Sequence, residues 1–184
     1  WWRVIDNHPG FISDERIEQL FSTVREWSRN AQLSYFDRKK HTGMLRYAVI
    51  RCSLIGESMV TIVTSKPNDE AESEMIRGKL LELAEIAKPT TLLWGVNSTI
   101  TYTTSADSLT TISGPGVIYE EICGFRYVIT PNAFFQTNSN AAPLLLETVR
   151  EFAGDLSGQS LLDLYCGSGF FSIALASKAA QAVG

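Results

Sequence analysis

Residues 161–176 constrain the fold of this chain most, because they join an apolar run, a glycine turn and an apolar segment of helical character. The leucines within residues 161–164 are typical of a strand covered on both faces in a parallel sheet. Gly167 and Gly169 allow a tight turn and a close approach of backbone to ligand. From Phe170 onward, the apolar positions suit a helix packed back on the strand. Such a turn presents unpaired backbone N–H groups, so the sequence predicts a nucleotide-like ligand here.

Two residues near the turn distinguish between kinds of ligand. A dinucleotide-binding Rossmann turn has a third glycine three residues after the second, and this chain has Ser172 there. Asp163 lies on the strand, where its carboxylate would repel the pyrophosphate of NAD and suits an amine-bearing or cationic ligand. The run Asp-Leu-Tyr-Cys-Gly-Ser-Gly therefore resembles the first motif of class I methyltransferases, which bind S-adenosylmethionine. A glycine turn without any ligand is the structural alternative.

The position of the motif predicts how the chain is divided. A doubly wound nucleotide-binding domain needs on the order of 100 residues, whereas the chain reaches Gly184 soon after the motif and opens on Trp1. This predicts a fragment cut inside its nucleotide-binding domain, with a second strand starting at residues 182–183 and an exposed strand edge at the C-terminus. The expected fold is mixed α/β. Residues 1–130 form a central α/β domain, and residues 131–184 form the first βα unit of a truncated, Rossmann-like methyltransferase domain.

Composition excludes several classes of protein. With 184 residues, 45% of them hydrophobic, the chain can bury a substantial core. A net charge of −4 gives no global signal for nucleic-acid binding, so any RNA contact must be local. Cys52, Cys123 and Cys166 lack the CxxC spacing of a zinc site, and no metal ligand is predicted. No apolar run has the length of a membrane span and no signal peptide is visible, so a cytoplasmic enzyme is expected.

Hydrophobic periodicity predicts the elements that precede the glycine turn. Helices are expected from a cap at Ser13 to about Trp27, from Asn68 or Asp69 to a stop before Pro89, and from a cap at Asn138 or Ser139 to about Phe152. Strands are expected over residues 44–54, 59–64, 92–96, 117–122 and 125–130, with hairpins near Gly56 and at residues 123–124. Residues 99–113 fit a polar strand or a loop equally well. The helix positions expected to face the core are Ile17, Leu20, Phe21, Val24 and Trp27; Met75, Ile76, Leu80, Leu83 and Ile86; and Leu144, Leu145, Val149 and Phe152.

Two further segments narrow the resemblance to one family. Residues 131–138 read Pro-Asn-Ala-Phe-Phe-Gln-Thr-Asn, and residues 45–51 read Leu-Arg-Tyr-Ala-Val-Ile-Arg. Together with residues 163–169, they resemble in order and spacing the RNA uracil-C5 methyltransferases, which make 5-methyluridine in transfer or ribosomal RNA. Phe-Phe-Gln-x-Asn is the most specific part, because generic methyltransferases do not carry it before the first motif. The resemblance covers most of the chain after about Asp37.

This resemblance implies S-adenosylmethionine as the cofactor. The residues that it assigns to cofactor binding are Gln136, Asp163, Tyr165, Gly167, Gly169 and Phe170. Gln136 matches a glutamine that contacts the cofactor, Tyr165 an aromatic residue that lies along it, and Asp163 is expected near the methionine amino group. Phe170 stands where some relatives carry an asparagine contact, which leaves it a backbone or stacking role. Without the family, Gln136 is equally a hydrogen-bonding loop residue, and Asn138 is a helix cap.

The resemblance also implies the route of catalysis. Carbon 5 of uracil becomes nucleophilic when a cysteine thiolate adds to carbon 6, and a base then removes the carbon-5 proton. In the family, that cysteine and the glutamate base lie downstream of the cofactor motifs, beyond Gly184. Cys166 lies in the cofactor turn, where a small residue suits the packing. No catalytic residue is therefore assigned, and the chain alone is expected to be inactive.

The expected partner is tRNA or rRNA, which the residues themselves indicate only locally. Residues 38–41, Arg-Lys-Lys-His, suit phosphate contacts, although a solvated loop explains them equally well. Arg46 and Arg51 would lie on opposite faces of a regular strand, so at most one of them faces a base. A target uridine must leave its stack to reach the cofactor. Two alternatives stay open, namely a class I methyltransferase of another substrate and a non-catalytic RNA-binding relative.

Overall fold

A computed structural model describes residues 13–100 and 103–184. Trp1 and residues 101–102, which belong to the expectations above, lie outside the described residues. Two units are present, and each has its own packing. Unit 1 takes the described part of Trp1–Cys52 together with Ser58–Gly116, and unit 2 takes Ser53–Glu57 and Val117–Gly184. Both units mix helices with strands, which confirms the predicted α/β class. The domain boundary predicted between residues 130 and 131 stays a prediction.

Unit 1 is a four-stranded sheet with two helices. Its strands are β1 (Leu45–Cys52), β2 (Ser58–Ser65), β3 (Thr91–Asn97) and β4 (Ser108–Ser113), in the order β1-β2-β3-β4. β2 and β3 run parallel, and the other two pairs are antiparallel. The helices are α1 (Glu15–Asn30) and α2 (Glu70–Ala87). The parallel pair is possible because α2 forms the crossover that returns the chain to the same end of the sheet.

Helix boundaries in unit 1 follow from their capping residues. Asp14, and not the predicted Ser13, is the N-cap of α1, because its extended backbone lets its carboxylate accept the Arg16 N–H at 2.9 Å. Asp69, one of the two predicted caps, accepts the Glu72 N–H at 2.8 Å. The second helix ends at Ala87, and its C-cap Lys88 adopts a left-handed conformation directly before Pro89, so the predicted stop is confirmed.

The core of unit 1 lies between the two helices and one face of the sheet. Each helix contributes three residues spaced i, i+4, i+7, which are Leu20, Val24 and Trp27 in α1 and Ile76, Leu80 and Leu83 in α2. They pack against Val60, Ile62, Leu92 and Trp94. The predicted stripes were too wide. Phe21, Met75 and Ile86 are exposed because they flank the line of contact.

The polar segment before residue 113 is part loop and part strand. Among the described residues of this segment, only Ser108–Ser113 pairs, as β4 on the outer edge of β3. The loop before it is held by Asp107, which accepts from the backbone N–H and hydroxyl of Ser98 at 2.7 and 2.5 Å. These hydrogen bonds lower the pKa of Asp107. The sequence left strand and loop open because the segment has no hydrophobic alternation.

Unit 2 combines a hairpin, a helix and a βαβ unit. The hairpin pairs β5 (Ile118–Ile122) with β6 (Phe125–Ile129) around residues 123–124, as predicted. α3 (Ala142–Ala153) follows. The chain then forms β7 (Ser160–Leu162), α4 (Phe170–Ala176) and β8 (Gln181–Val183), and β7 and β8 are parallel. The predicted strand–turn–helix unit and the short strand after it are therefore confirmed.

Two burial predictions in unit 2 were wrong. α3 buries Ala142 and Leu146, whereas Leu144 and Phe152 are 71% and 88% exposed. The buried line is displaced by one residue from the predicted one, which corresponds to a rotation of about 100° around the helix. Leu162 and Leu164, expected under cover on both faces, are exposed, because β7 pairs only with β8 among the described residues and ends before Leu164.

The turn that leads into α3 is held by Asn138. Asn138 accepts the Ala141 N–H at 3.0 Å through its side chain and the Ala142 N–H through its carbonyl, so it closes the turn just before the helix. The formal N-cap is Ala141, three residues later than the first predicted cap.

None of the helices within the described ranges is both long and apolar enough to cross a membrane.

Candidate functional site

The glycine turn between β7 and α4 has the backbone conformation that its sequence predicts. Gly167 and Gly169 adopt φ values of 54° and 78°, in the left-handed region where glycine is favoured. The Gly169 N–H donates to the Cys166 carbonyl at 2.7 Å and closes the turn. A Cβ on Gly169 would lie 2.8 Å from Ile173 Cδ1. The turn is therefore closed tightly by the backbone and by the first residues of α4.

Asp163 lies at the carboxyl end of β7 and is fixed by three hydrogen bonds. Its backbone N–H donates to the Val183 carbonyl at 2.8 Å, which continues the pairing of β7 and β8. One carboxylate oxygen accepts the Tyr165 N–H at 3.2 Å, and the other accepts the Ser172 hydroxyl at 3.0 Å. In the sequence, Ser172 marks only the absence of the third Rossmann glycine. The structure gives it a positive role, since its hydroxyl orients the Asp163 carboxylate.

The segment that carries Gln136 runs along the glycine turn. The Phe134 carbonyl accepts the Ser168 hydroxyl at 2.9 Å, and a Cβ on Gly167 would lie 3.5 Å from the same carbonyl oxygen. Gln136 follows two residues later and is half-buried. Two segments that are about 30 residues apart in sequence, 131–138 and 163–169, thus contact each other. The family resemblance groups them by motif, and the structure groups them in space.

An aromatic cluster anchors this segment to α4. The rings of Tyr127, Phe135 and Phe170 have centroid separations of 5.4, 5.8 and 6.1 Å, which are typical of interacting aromatic pairs. All three side chains are buried, and burial raises the pKa of Tyr127. The Phe170 ring is buried in this cluster, so its side chain is used in packing. Phe135 holds the Gln136 loop in place, because its ring packs on Tyr127 and Phe170.

Three apolar side chains near the turn are left open to solvent. Tyr165 is 96% exposed, and Leu164 and Phe134 are exposed as well. Leu164 and Tyr165 directly follow Asp163 in sequence, and Phe134 lies at the glycine turn, where its Cδ1 would be 3.7 Å from a Cβ on Gly167. The carboxyl edge of a parallel sheet is where ligands bind in open α/β folds. Exposed rings next to a fixed carboxylate offer both an apolar surface and an anionic group to one ligand.

Glu120 is a residue that sequence reasoning missed. It is 1% exposed on β5, and its carboxylate accepts the backbone N–H groups of Leu54 and Glu121 at 3.0 Å. The other oxygen accepts the Ser139 hydroxyl at 2.7 Å, so Glu120 holds the far end of the loop that carries Gln136. A signal was present, because Glu120 occupies an inward strand position between the buried residues Ile118 and Ile122.

Of the two arginines predicted near a base, Arg46 has hydrogen-bond partners within unit 1. The register of β1 shifts between Leu45 and Tyr47, so the alternation assumed for Arg46 and Arg51 does not hold along the whole strand. The guanidinium of Arg46 donates to the carbonyls of Asn97 and Thr99 at 3.0 and 2.6 Å. Arg51 is half-buried, and burial lowers its pKa. Arg46 therefore ties the start of β1 to the loop after β3.

The basic turn, residues 38–41, is ordered by its preceding aspartate. Asp37 accepts the backbone N–H groups of Lys40 and Lys39 at 3.1 and 2.8 Å, which lowers its pKa. The side chains of the turn are exposed.

The three cysteines are free thiols. Burial raises the pKa of Cys52, which disfavours its thiolate.

A family model and a close set of relatives match this chain. The model of tRNA (uracil-5-)-methyltransferases covers residues 121–183, which include the Gln136 loop and the glycine turn. An uncharacterized RNA methyltransferase of Caldanaerobacter subterraneus is 34% identical over 178 residues, which are 94% of this chain and 38% of that protein. This chain belongs to the RNA uracil-C5 methyltransferase family. The family named from motifs is thereby confirmed.

Other members of the RNA uracil-C5 methyltransferase family show the same relation. The tRNA (uracil(54)-C(5))-methyltransferase of Pyrococcus horikoshii is 31% identical over 186 residues, covering this whole chain and 42% of that protein. The Pyrococcus abyssi tRNA (uracil-54, C5)-methyltransferase, solved in complex with S-adenosyl-L-homocysteine, superimposes with a TM-score of 0.71 at 27% identity. That superposition covers 96% of this chain and 41% of the archaeal enzyme. The chain spans about two fifths of the length of the curated relatives it matches.

Proposed function

We propose that this chain is part of a cytoplasmic, S-adenosylmethionine-dependent RNA methyltransferase that methylates carbon 5 of a uridine in tRNA or rRNA. The observation that carries the proposal is the single site formed by Asp163, the glycine turn and the Gln136 loop at the carboxyl edge of β7 and β8. Family membership supports it, as does the fold shared with an archaeal enzyme whose structure contains S-adenosyl-L-homocysteine. The named function of the Pyrococcus relatives favours tRNA over rRNA.

The residues present fit this cofactor. A carboxylate has about four lone-pair sites, and within the described part of the chain Tyr165 and Ser172 use two of those of Asp163. Asp163 can therefore accept further hydrogen bonds from a charged amino group, which are stronger than those between neutral groups. The open ring of Tyr165 supplies an apolar face for the adenosine part. When bound, S-adenosylmethionine supplies an electrophilic methyl group.

Each side chain of the site has a distinct task in this proposal. Asp163 binds and orients the amino group, and Ser172 keeps the carboxylate turned toward the ligand. Gln136 donates or accepts a hydrogen bond from the loop that Phe135 anchors. Gly167 and Gly169 leave the backbone accessible, and Phe170 contributes its backbone only, since its ring is buried. Together, residues 131–184 act as the start of the cofactor-binding domain.

The catalytic cysteine and the glutamate base are proposed to come from outside this chain. Uracil requires a thiolate at carbon 6 before carbon 5 can attack a methyl group. Burial disfavours the Cys52 thiolate, and Cys166 lies inside the glycine turn with its sulfur 3.9 Å from the Gly167 carbonyl. Cys123 occupies the tight turn between β5 and β6. The chain by itself is therefore expected to transfer no methyl groups.

Tritium release from RNA labelled at carbon 5 of uracil tests the proposal, with the product of the complete gene and S-adenosylmethionine. Cofactor-dependent release is expected, because the carbon-5 proton must leave. Labelled methyl groups that enter RNA without tritium release would mean that another atom is methylated. If neither signal appears with tRNA or rRNA, the chain is a methyltransferase of another substrate or a non-catalytic relative, and the proposal is wrong.

Asp163→Asn tests the cofactor site separately. The substitution keeps the size of the side chain but removes its charge, and we expect affinity for S-adenosylmethionine to fall by about 10- to 100-fold, as for a lost charged hydrogen bond. Asp155→Asn is a matched control, because Asp155 also accepts the N–H of the residue two positions later, at 2.9 Å from Ser157. Calorimetric titration of the cofactor measures both variants. Equal affinities would remove Asp163 from the site.

A further inference from the structure

Unit 1 contains a cavity that shares no residue with the candidate cofactor site. The cavity has a volume of about 230 Å³ and lies between α1 and the edge strand β1. Its floor is apolar and buried, formed by Val24, Trp27 and Ile62. The volume is below the roughly 300–1,000 Å³ of pockets that take drug-sized ligands. The cavity is therefore of the size for one ring system and not for a whole nucleotide cofactor.

The mouth of the cavity is aromatic and open. Phe21 and Tyr35 are 49% and 59% exposed, and Tyr47 lines the same cavity. The Tyr35 hydroxyl lies 3.2 Å from Ser28 Oγ, a contact that fixes the ring at the mouth. The Arg25 guanidinium lies 5.6 Å from the centroid of the Phe21 ring. Open aromatic rings beside planar cations are the surface on which unstacked bases bind in single-stranded nucleic-acid sites.

The chain next to the mouth carries the positive charge that such a ligand requires. Tyr35 pairs with Leu45 in an isolated bridge, and the basic turn follows only a few residues later. Three residues of extended chain span at most roughly 11 Å, so the first cation of the turn is within reach of a phosphate next to a bound base. The Asp37 carboxylate holds the turn through backbone N–H groups. The cationic side chains themselves are exposed in a chain of net charge −4.

We propose that this cavity binds one unpaired base of the RNA substrate, stacked on Tyr35 and Phe21, with neighbouring phosphates on residues 38–41. The proposal rests on the RNA methyltransferase function proposed above and names a second contact region for the same RNA. An apolar peptide side chain would fill the floor equally well, but it carries no anionic group that could pair with the adjacent cations. A base with its phosphates uses both features.

Fluorescence anisotropy with a labelled single-stranded RNA, using the product of the complete gene, tests this proposal. We expect Tyr35→Ala to weaken binding by roughly 5- to 150-fold, the range for a lost base–aromatic stack. Tyr35→Phe keeps the ring and loses only the hydroxyl, so it should restore most of the affinity. Phe152→Ala is the matched control, because Phe152 is an exposed aromatic residue of unit 2 and should have no effect.

The basic turn is tested by the salt dependence of the same binding. Lys40→Ala should make the negative slope of log K against log salt shallower by about 0.7, the value for one phosphate contact to a single strand. Lys178→Ala, on the surface of unit 2, should leave the slope unchanged. An RNA affinity of Tyr35→Ala equal to that of the unsubstituted protein, or an unchanged salt slope in Lys40→Ala, would overturn the proposal.

Two further outcomes separate this proposal from the proposed function. Tritium release with normal RNA affinity in Tyr35→Ala would reject the base pocket and keep the methyltransferase. RNA binding that depends on Tyr35 without tritium release or methyl transfer would reject the methyltransferase and keep the pocket. If hydroxyl-radical footprinting without RNA finds Tyr35 protected, another segment of the protein covers the mouth. That result would also overturn the proposal.

Discussion

Glu120 provides the sharpest test of how unit 2 is held together, because its buried carboxylate serves three donors. Glu120→Ala removes the acceptor of the Leu54 N–H and of the Ser139 hydroxyl, at 3.0 and 2.7 Å. A buried donor left without a partner costs about 1–3 kcal/mol. Fully buried, these two donors would together cost about 2–6 kcal/mol, but Leu54 is exposed and Ser139 is half-buried, so water that reaches them favours the lower half of that range. We therefore expect a loss of about 2–4 kcal/mol.

Glu120→Gln separates the hydrogen bonds from the volume of the side chain. Its amide oxygen can still accept the N–H groups of Leu54 and Glu121, and its amide nitrogen can donate to Ser139 Oγ, which then acts as acceptor. We expect this variant to lose only about 1 kcal/mol. Glu121→Ala is the control, because Glu121 is exposed and its ion pair with Arg126 at 3.9 Å is worth about 0–1 kcal/mol.

Urea denaturation and native-state hydrogen exchange measure these effects together. The denaturation midpoint reports global stability, and the amide of Leu54 reports the local opening that the lost hydrogen bond should permit. The expected order of stability is unsubstituted protein, Glu121→Ala and Glu120→Gln close together, and then Glu120→Ala. If Glu120→Ala lies within about 0.5 kcal/mol of Glu121→Ala, the buried carboxylate does not stabilise the loop and our reasoning is refuted.

Two other predictions concern the glycines and the basic turn. Gly169→Ala should lower the thermal midpoint, because alanine at φ 78° costs about 1–2 kcal/mol and its Cβ would contact Ile173. Gly78→Ala in the middle of α2 has open space around the new Cβ, so it should stabilise the protein by about 0.5–1 kcal/mol. Equal shifts by calorimetry would contradict the backbone argument. The N–H groups of Lys40 and Lys39 lower the pKa of Asp37. The Asp37 carboxylate therefore stabilises the basic turn fully above the unfolded-state pKa. This stabilisation is lost as the pH falls through the lower folded-state pKa. An NMR titration should find this pKa below that of an unstructured aspartate, and an ordinary value would show that the hydrogen bonds are not formed in solution.

The sequence predicted those parts of the fold that depend on local chemistry. The hairpin at residues 123–124, the cap at Asp69 and the stop before Pro89 follow from turn and capping preferences that act within a few residues. The left-handed glycines of the turn are similarly local. The face that α3 buries was predicted wrongly, because two adjacent apolar lines were available and only the neighbouring elements select one.

The candidate site divides in the same way. Asp163, the glycines and the Gln136 loop were found from motifs, and their roles toward a ligand stay predictions. The task of Ser172 and the burial of Glu120 were not found, because each depends on a hydrogen bond to a residue distant in sequence. The pattern of β5 carried a hint for Glu120, but nothing in it named Ser139 or Leu54 as donors.

The sequence by itself determined the strand–glycine–helix unit and the family, because both are encoded in contiguous residues whose backbone preferences and motifs act locally. Only the tertiary structure decided which side chains make internal contacts and which stay exposed. Arg46 is bound to Asn97 and Thr99, Phe170 lies in the aromatic cluster, and Tyr35 and Tyr165 stay open. Hydrogen bonds and burial act over a few ångströms in space regardless of separation along the chain, so these assignments exist only once the elements have packed.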